Sequence, residues 1–393
     1  MQELDVIIIG AGAAGLMCAM EAGKRGRKVL VLDHANKVGK KILMSGGGRC
    51  NFTNYHIHPD CYISHNKHFC KSALSRYTQW DFIQLVQKHN IPYHEKTLGQ
   101  LFCNDKSKAI VEMLLAECAE VKAQIQINTS INKLAKLDND KFKVFTNRGD
   151  FICQALVVAT GGLSIPTLGA SPFGYKIAEQ FGIKVWPTRA GLVPLTLHVE
   201  DKQNLATLSG IAINSLTSSK SQNFRENILF THRGLSGPAI LQISSYWQPG
   251  EALLINLLPD VELASQLKQI QQTQPQKQLK TVLSEYLPKR LLETLISPEI
   301  IEKKLATISQ SSLEQIGLAL NGWQLKPNGT EGYRTAEVTL GGIDCDAISS
   351  KTMQAHAVPK LYFIGEVLDV SGWLGGYNFQ WAWSSGWAAG QVV

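Results

Sequence analysis

Apolar residues fall along this chain in short runs separated by glycine-bearing turns, and their spacing alternates between the periods of strands and helices. Residues 5–9 form a β-branched run, residues 10–15 are punctuated by glycine, residues 16–24 have helical composition, and residues 28–32 are again strand-like. The chain thus predicts a βαβ unit at its start. A glycine loop, SGGGRCN, occupies residues 45–51. Periodicity predicts helices over about 72–89 and 107–119, and strands over 124–128, 141–146 and 155–159, the last running into Thr160-Gly161-Gly162. From about Arg189 the texture becomes β-type with turn residues. A glutamine-rich stretch, 263–280, reads as exposed helix or linker. Residues 279–320 look helical with breaks at Pro288 and Pro298. Strand chemistry returns at Leu340-Gly341-Gly342 and at 361–364, and an aromatic, glycine-rich tail over 373–390 ends as a helix.

The first turn carries the strongest chemistry. Gly10-Ala11-Gly12-Ala13-Ala14-Gly15 is a G-x-G-x-x-G between a strand and a helix. In that context Gly10 permits a tight turn, Gly12 lets backbone approach a pyrophosphate, and Gly15 allows close helix-on-strand packing. The free N–H groups and positive end of the helix favour the diphosphate. Asp33, followed by His34, ends the second strand, where a carboxylate accepts hydrogen bonds from an adenosine ribose; an acid here points away from a 2′-phosphate. NAD and FAD share this fingerprint. Two further strand ends, Ala159-Thr160-Gly161 and Gly365-Glu366, favour FAD, because three strand ends converging on one long ligand suit an extended cofactor. Glu366 or Asp369 would accept bonds from ribityl hydroxyls, or else be solvated loop acids. Gly375, Gly376, Tyr377, Asn378 and Phe379 open the last helix, whose N-terminus would stabilise negative charge at the pyrimidine end of a flavin, the glycines keeping Cβ atoms away from the ring.

Composition narrows the class. With 393 residues, 44% hydrophobic and 18% charged, the chain is a globular one with room for a sizeable core in two to four domains. The longest apolar stretch, 6–20, holds three glycines and is too short to span a bilayer, and it follows Glu3 and Asp5 rather than a basic leader, so a cytoplasmic protein with no membrane partner is expected. Net charge is +7, yet no run of five or six Lys/Arg and no segment interleaving aromatic and basic residues occurs, so no nucleic-acid partner is expected. The eight cysteines include no CxxC pair and read as buried thiols. His56, His58, Cys61, His65, His68 and Cys70 crowd together, but their spacing matches no zinc pattern, so no metal is expected. His232 with Arg233 either lines a substrate pocket or sits in a turn. No second G-x-G-x-x-G follows Gly162, so NAD(P)H, if it is the reductant, visits transiently.

SGGGRCNFTN at 45–54, the VVATGG run, FTHRGLSGPA at 230–239 and GEVLDVSGWLGGYNFQWAWSSGWAAG at 365–390 together resemble the BaiN/YhiN-type, aminoacetone-oxidase-like FAD-dependent oxidoreductases. The resemblance implies an α/β fold: a glutathione-reductase-like, Rossmann-type FAD-binding domain made from residues 1–189 and 336–393, with a β-barrel-like and helical domain inserted at 190–335 over the active face. It implies that Ala14, Asp33, Lys40 or Lys41, the Ser45-Gly46-Gly47-Gly48 loop, Ile131, Gly365, Glu366, Asp369, Gly376, Tyr377, Asn378 and Phe379 lie near FAD, with Arg49 and Asn51 facing the isoalloxazine. Members act on different substrates as reductases and oxidases. The expected function is hydride transfer between flavin N5 and a small organic substrate, with NAD(P)H or oxygen as second substrate. A flavin-binding redox sensor without turnover is the alternative, and a metal-assisted enzyme or a flavin-dependent RNA modifier ranks third.

Overall fold

The computed structural model describes residues 2–393, and its start follows the apolar pattern: β1 (Gln2–Ile9), α1 (Ala13–Lys24) and β2 (Val29–Leu32). Next come α2 (Lys40–Met44), β3 (Asn51–Asn54), β4 (Tyr62–Ile63), α3 (Cys70–Arg76), α4 (Gln79–Lys88), β5 (Tyr93–Glu95), β6 (Gln100–Cys103) and α5 (Lys108–Glu120). The helical pattern over 72–89 is therefore two helices. Thr78 breaks it, capping α4 in a box with Asp81, whose carboxylate accepts from the Thr78 N–H at 2.7 Å. The sheet resumes with β7 (Gln124–Gln126), β8 (Ile131–Lys136), β9 (Phe142–Thr146) and β10 (Gly149–Val158), followed by α6 (Phe173–Gln180) and β11 (Val185–Gly191).

The chain divides into two compact units, Met1–Arg189 with Val338–Val393, and Ala190–Glu337. The second contains β12 (Leu195–Thr196), α7 (Val199–Asn204), β13 (Ala212–Ser218), β14 (Asn223–Phe230), β15 (Gly234–Ser236), α8 (Pro238–Ser244) and β16 (Leu253–Asn256). Helices α9 (Leu263–Thr273), α10 (Leu279–Leu283), α11 (Lys289–Leu295), α12 (Pro298–Ile301) and α13 (Gln310–Asn321) follow, then β17 (Trp323–Leu325) and β18 (Gly329–Thr330). Its antiparallel sheet runs β17-β16-β13-β14-β15-β12-β18. The two edge strands are consecutive in the chain, so the sheet must curl until its edges lie within a short connection of each other. The glutamine-rich stretch is helix α9 for most of its length: Leu263 and Leu267 are buried, and Gln271 donates to the carbonyls of Leu305 and Ile308 at 2.8 Å.

The chain returns to the first unit through β19 (Val338–Ile343), β20 (Leu361–Phe363), β21 (Ser371–Gly372) and α14 (Tyr377–Gly390). The main sheet has the order β7-β2-β1-β10-β9-β8, with β20 also pairing with β10. Strands β7, β2, β1, β10 and β20 are parallel; β8 and β9 extend β10 as an antiparallel meander. Ile7, Ile8, Val157 and Val158 are fully buried, as a parallel sheet covered on both faces requires. Helix α1 packs against α5 and α14. No helix among the described residues is long and apolar enough to cross a membrane.

Candidate functional site

The carboxyl ends of β1, β2, β10 and β20 converge, which is where a doubly wound parallel sheet binds ligands. Gly10 leaves β1 at φ +114°, and a Cβ there would sit 2.3 Å from the Ala159 carbonyl oxygen. Gly15 is equally confined, 1.9 Å from the Gly10 oxygen, whereas Gly12 faces open space. The turn is thus packed from behind and empty in front, at a helix N-terminus whose first amides lack intrahelical partners. That shape and polarity fit a diphosphate. Asp33 accepts from the Ala11 N–H and the Ala35 N–H, both at 2.7 Å, so its carboxylate is pinned beside the turn with acceptor capacity left. His34 is exposed and borders Gly169. Backbone bonds from Thr129 to Asp33 and from Asn128 to Ala35 draw the chain before Ile131 to the end of β2; Ile131 itself begins β8, opposite Thr146.

Glu366 is not a solvated loop acid. Its Oε2 receives Lys41 Nζ at 2.6 Å, and its Oε1 receives the Thr339 N–H at 3.0 Å and Ser164 Oγ at 3.1 Å. Lys41 also donates to Ser164 Oγ at 2.6 Å, and Thr339 Oγ1 caps the Leu163 and Ser164 amides. Lys41, rather than its half-buried neighbour Lys40, is therefore the lysine tied to this strand end. Ser164 and Thr339 escaped the sequence reading, because nothing local to either residue signals the other. Ala159 and Gly161 border the same end of β10. The Thr160 hydroxyl instead turns inward, buried without a partner against Gly174.

Asp369 is also no solvated acid. It is buried and accepts from both the backbone N–H and Nδ1 of His65 at 2.8 Å. Burial raises its carboxyl above the usual range, and the contacts with His65 pull the other way. The His65 ring stacks on Trp186, centroids 3.8 Å apart. The rest of the histidine and cysteine cluster disperses: His58 contacts Asp60, Cys61 and Cys70 are buried, and no group of three such ligands converges among the described residues. Arg233 pairs with Glu331 in the second unit.

The Ser45-Gly46-Gly47-Gly48 loop turns through three consecutive glycines with positive φ, Gly46, Gly47 and Gly48, and Arg49 stands exposed beyond it. Asn51 reaches the last helix: with its amide oxygen turned toward α14, the orientation that satisfies its neighbours, it accepts from the Gly376 N–H and donates to the Leu101 and Thr53 carbonyls, each at 3.2 Å. The glycines of the tail are also confined by the protein itself. A Cβ on Gly376 would lie 2.4 Å from the Thr53 backbone, and one on Gly375 would lie 2.9 Å from Gln100, so both positions are small because α14 starts against β3 and β6. Asn378 closes the preceding turn, accepting from the Gly372 N–H and donating to its carbonyl at 2.8 Å. The amides of Asn378 and Phe379 sit in the first helical turn, where intrahelical partners are lacking. Trp381 donates to the Gly365 carbonyl at 3.1 Å and Trp383 to that of Phe52 at 2.8 Å, so both tryptophans hold the site together by packing and bonding. All eight cysteines are free and buried; burial pushes Cys70 and Cys103 up to about 11, which keeps them protonated at neutral pH and unsuited to dithiol chemistry.

The HI0933-like protein Rossmann domain family matches residues 4–392. This chain belongs to that family. It is 57% identical over its whole length to a ribosomal RNA dihydrouridine synthase of Escherichia coli, covering 98% of that protein. It is 27% identical to a 3-dehydro-bile acid delta(4,6)-reductase of Clostridium scindens, covering 98% of each chain. Among solved structures, the Mycobacterium smegmatis Sdh1 complex in the apo form aligns over 99% of this chain and 67% of that one at 15% identity and a TM-score of 0.50, a likeness of fold alone. The chain is accordingly an FAD-dependent oxidoreductase with a Rossmann-type domain, and the open, amide-lined turn at Gly12 suits that cofactor.

Proposed function

We propose that this protein reduces a uridine of ribosomal RNA to dihydrouridine, with a reduced nicotinamide as electron source. The observation that carries the reading is the 57% identity, from end to end, with a relative bearing that activity in its name; a Haemophilus influenzae protein of the same name is 53% identical. The balance closes: the uracil ring gains a hydride and a proton across one carbon–carbon double bond, and the nicotinamide loses the hydride. Bound FAD supplies the two-electron chemistry that joins the two half-reactions. The chain's own part is to bind and orient. The α1 N-terminus and Asp33 hold the adenosine diphosphate end, the Lys41–Glu366 pair meets the ribityl chain, and the first turn of α14 presents amides to the pyrimidine edge of the ring.

This departs from the expectation of no nucleic-acid partner, which rested on the absence of basic runs. Charge is in fact unevenly shared: residues 1–189 and 338–393 carry 26 basic and 19 acidic side chains, and residues 190–337 carry 13 of each. The whole excess of seven belongs to the unit with the cofactor fingerprint, a distribution that favours a polyanion. A small cyclic enone is the second reading, supported by the Clostridium scindens relative. The test is anaerobic incubation of the holoprotein and NADH or NADPH with an unmodified ribosomal RNA transcript, then mass spectrometry of the nucleosides. A product heavier than uridine by two hydrogens is expected. Unchanged RNA alongside rapid turnover of a steroid enone would replace the first reading with the second.

A further inference from the structure

Three of the six most exposed large hydrophobic side chains, Met44 (61%), Trp80 (52%) and Leu98 (59%), come from segments that are bonded to one another. Tyr55 stacks on Trp80, centroids 5.5 Å apart at 25°, and its N–H donates to the Gly99 carbonyl at 2.9 Å. Asn54 donates to the Leu98 carbonyl at 3.1 Å and to the Gly375 carbonyl at 2.9 Å, which ties this loop to the start of α14. On the other side, Ser107 bonds Gly48 and Leu43, and Cys103 bonds Arg49. Three exposed cations belong to these segments, Arg49, Lys96 and Lys106, and among the described residues none is held in an ion pair. The neighbouring acids are Asp81, which caps the start of α4 through the Thr78 N–H, Glu95, which accepts from the Gly99 N–H, and the exposed Asp105.

An exposed tryptophan face beside unpaired cations suits single-stranded nucleic acid, since every base has a face to stack and every linkage a phosphate to neutralise. A second copy of this chain docked face to face here would instead bring like charges together in a desolvated contact. Resting on the RNA reading above, we propose that this rim seats the nucleotides flanking the target uridine, Trp80 stacking a base while Arg49, Lys96 and Lys106 meet phosphates. Its bonds to the Gly375 turn and to the Gly48-Arg49 loop put it beside the segments assigned to the flavin ring, so a uridine delivered there has its neighbours on the rim.

The experiment is fluorescence anisotropy of a labelled oligouridylate about twenty nucleotides long, titrated with holoprotein at several salt concentrations. Lys96→Glu with Lys106→Glu is expected to weaken binding about tenfold or more and to lower the slope of log affinity against log salt by about 1.4. Trp80→Ala is expected to weaken binding by about five- to a hundredfold with the slope unchanged, and Trp80→Phe to retain most of it. Melting temperature and the rate of flavin bleaching by NADPH should match the parent in all three. A parent that binds with variants that bind equally well overturns the rim and leaves the RNA reading standing. A parent that binds neither this oligonucleotide nor a ribosomal RNA transcript overturns the RNA reading, and the rim with it. Loss of a parental dimer in Trp80→Ala at unchanged RNA affinity would assign the face to self-association instead.

Discussion

Lys41 illustrates how one side chain can matter for a ligand and little for stability. Its pair with Glu366 is over a third exposed on the lysine side, and such pairs contribute at most about 1 kcal/mol to folding. It nevertheless fixes the carboxylate beside the β10 and β20 ends. Lys41→Met is expected to raise the FAD dissociation constant about tenfold with little change in melting temperature, as read by fluorescence titration of apoprotein and by thermal denaturation. Gly12→Glu should fill the open front of the turn and abolish FAD retention in a protein that still folds, since no atom lies within 4 Å of the added Cβ. Glu117 acts on stability instead. Burial alone would push its carboxyl up, but Lys88 at 2.6 Å, His89 at 2.7 Å and Lys24 at 3.5 Å outweigh that and bring it down to about 2. A carboxylate depressed on folding stabilises the native state above its ordinary value of 4.5, and that contribution fades as pH falls toward about 2. Glu117→Gln should therefore cost about 3 kcal/mol at neutral pH and flatten the loss of melting temperature below about pH 5. A parallel pH profile for parent and variant would contradict the assignment.

Helices α1 and α14 approach closely because glycine lies at their contact. A Cβ on Gly386 would meet the Ala14 oxygen at 2.5 Å, and one on Gly390 would meet the Glu21 Cβ at 2.5 Å. Behind α14, Trp383 stacks on Phe82 with centroids 4.3 Å apart, so the helix cannot retreat from an inserted side chain without opening the aromatic core. Gly386→Leu is expected to lower the melting temperature by several degrees and to reduce bound FAD, because Ala14 belongs to the first turn of the fingerprint helix. Gly386→Ala should do the same more mildly, and equal flavin content in both variants and the parent would show the contact to be slack.

The first unit is completed only by the segment 338–393 at the end of the chain. Strand β20 pairs with β10, α14 covers α1, and Glu366 needs Lys41. Chain ending at Glu337 would leave an apolar strand edge unpaired and one face of α1 bare. Such a truncation is expected to be aggregated and free of flavin, measured by the absorbance of the soluble fraction and by circular dichroism. A soluble, yellow truncated protein would refute the mutual dependence.

Local features of this protein were legible in its sequence, because their physics is local. The glycine fingerprint, the strand ahead of it and Asp33 behind it lie within one βαβ unit, and the ends of α1 and β2 follow from periodicity and composition, although α1 starts three residues earlier, inside the fingerprint. Buried cysteines and the helical tail were readable for the same reason. One local signal was passed over: the capping box of Thr78 and Asp81 breaks a continuous helical pattern. Two features required tertiary structure. Glu366 and Asp369 read either as ribityl-binding groups or as solvated loop acids until Lys41 and His65, each about three hundred residues away in the chain, closed on them. The aromatic and basic residues proposed for the rim, sought as a run and absent as one, come from segments between 49 and 106 that are joined through β3 and β6 and not through the sequence. Sequence spacing reports the period of a strand or a helix, and contacts across loops are decided by which surfaces must be buried together.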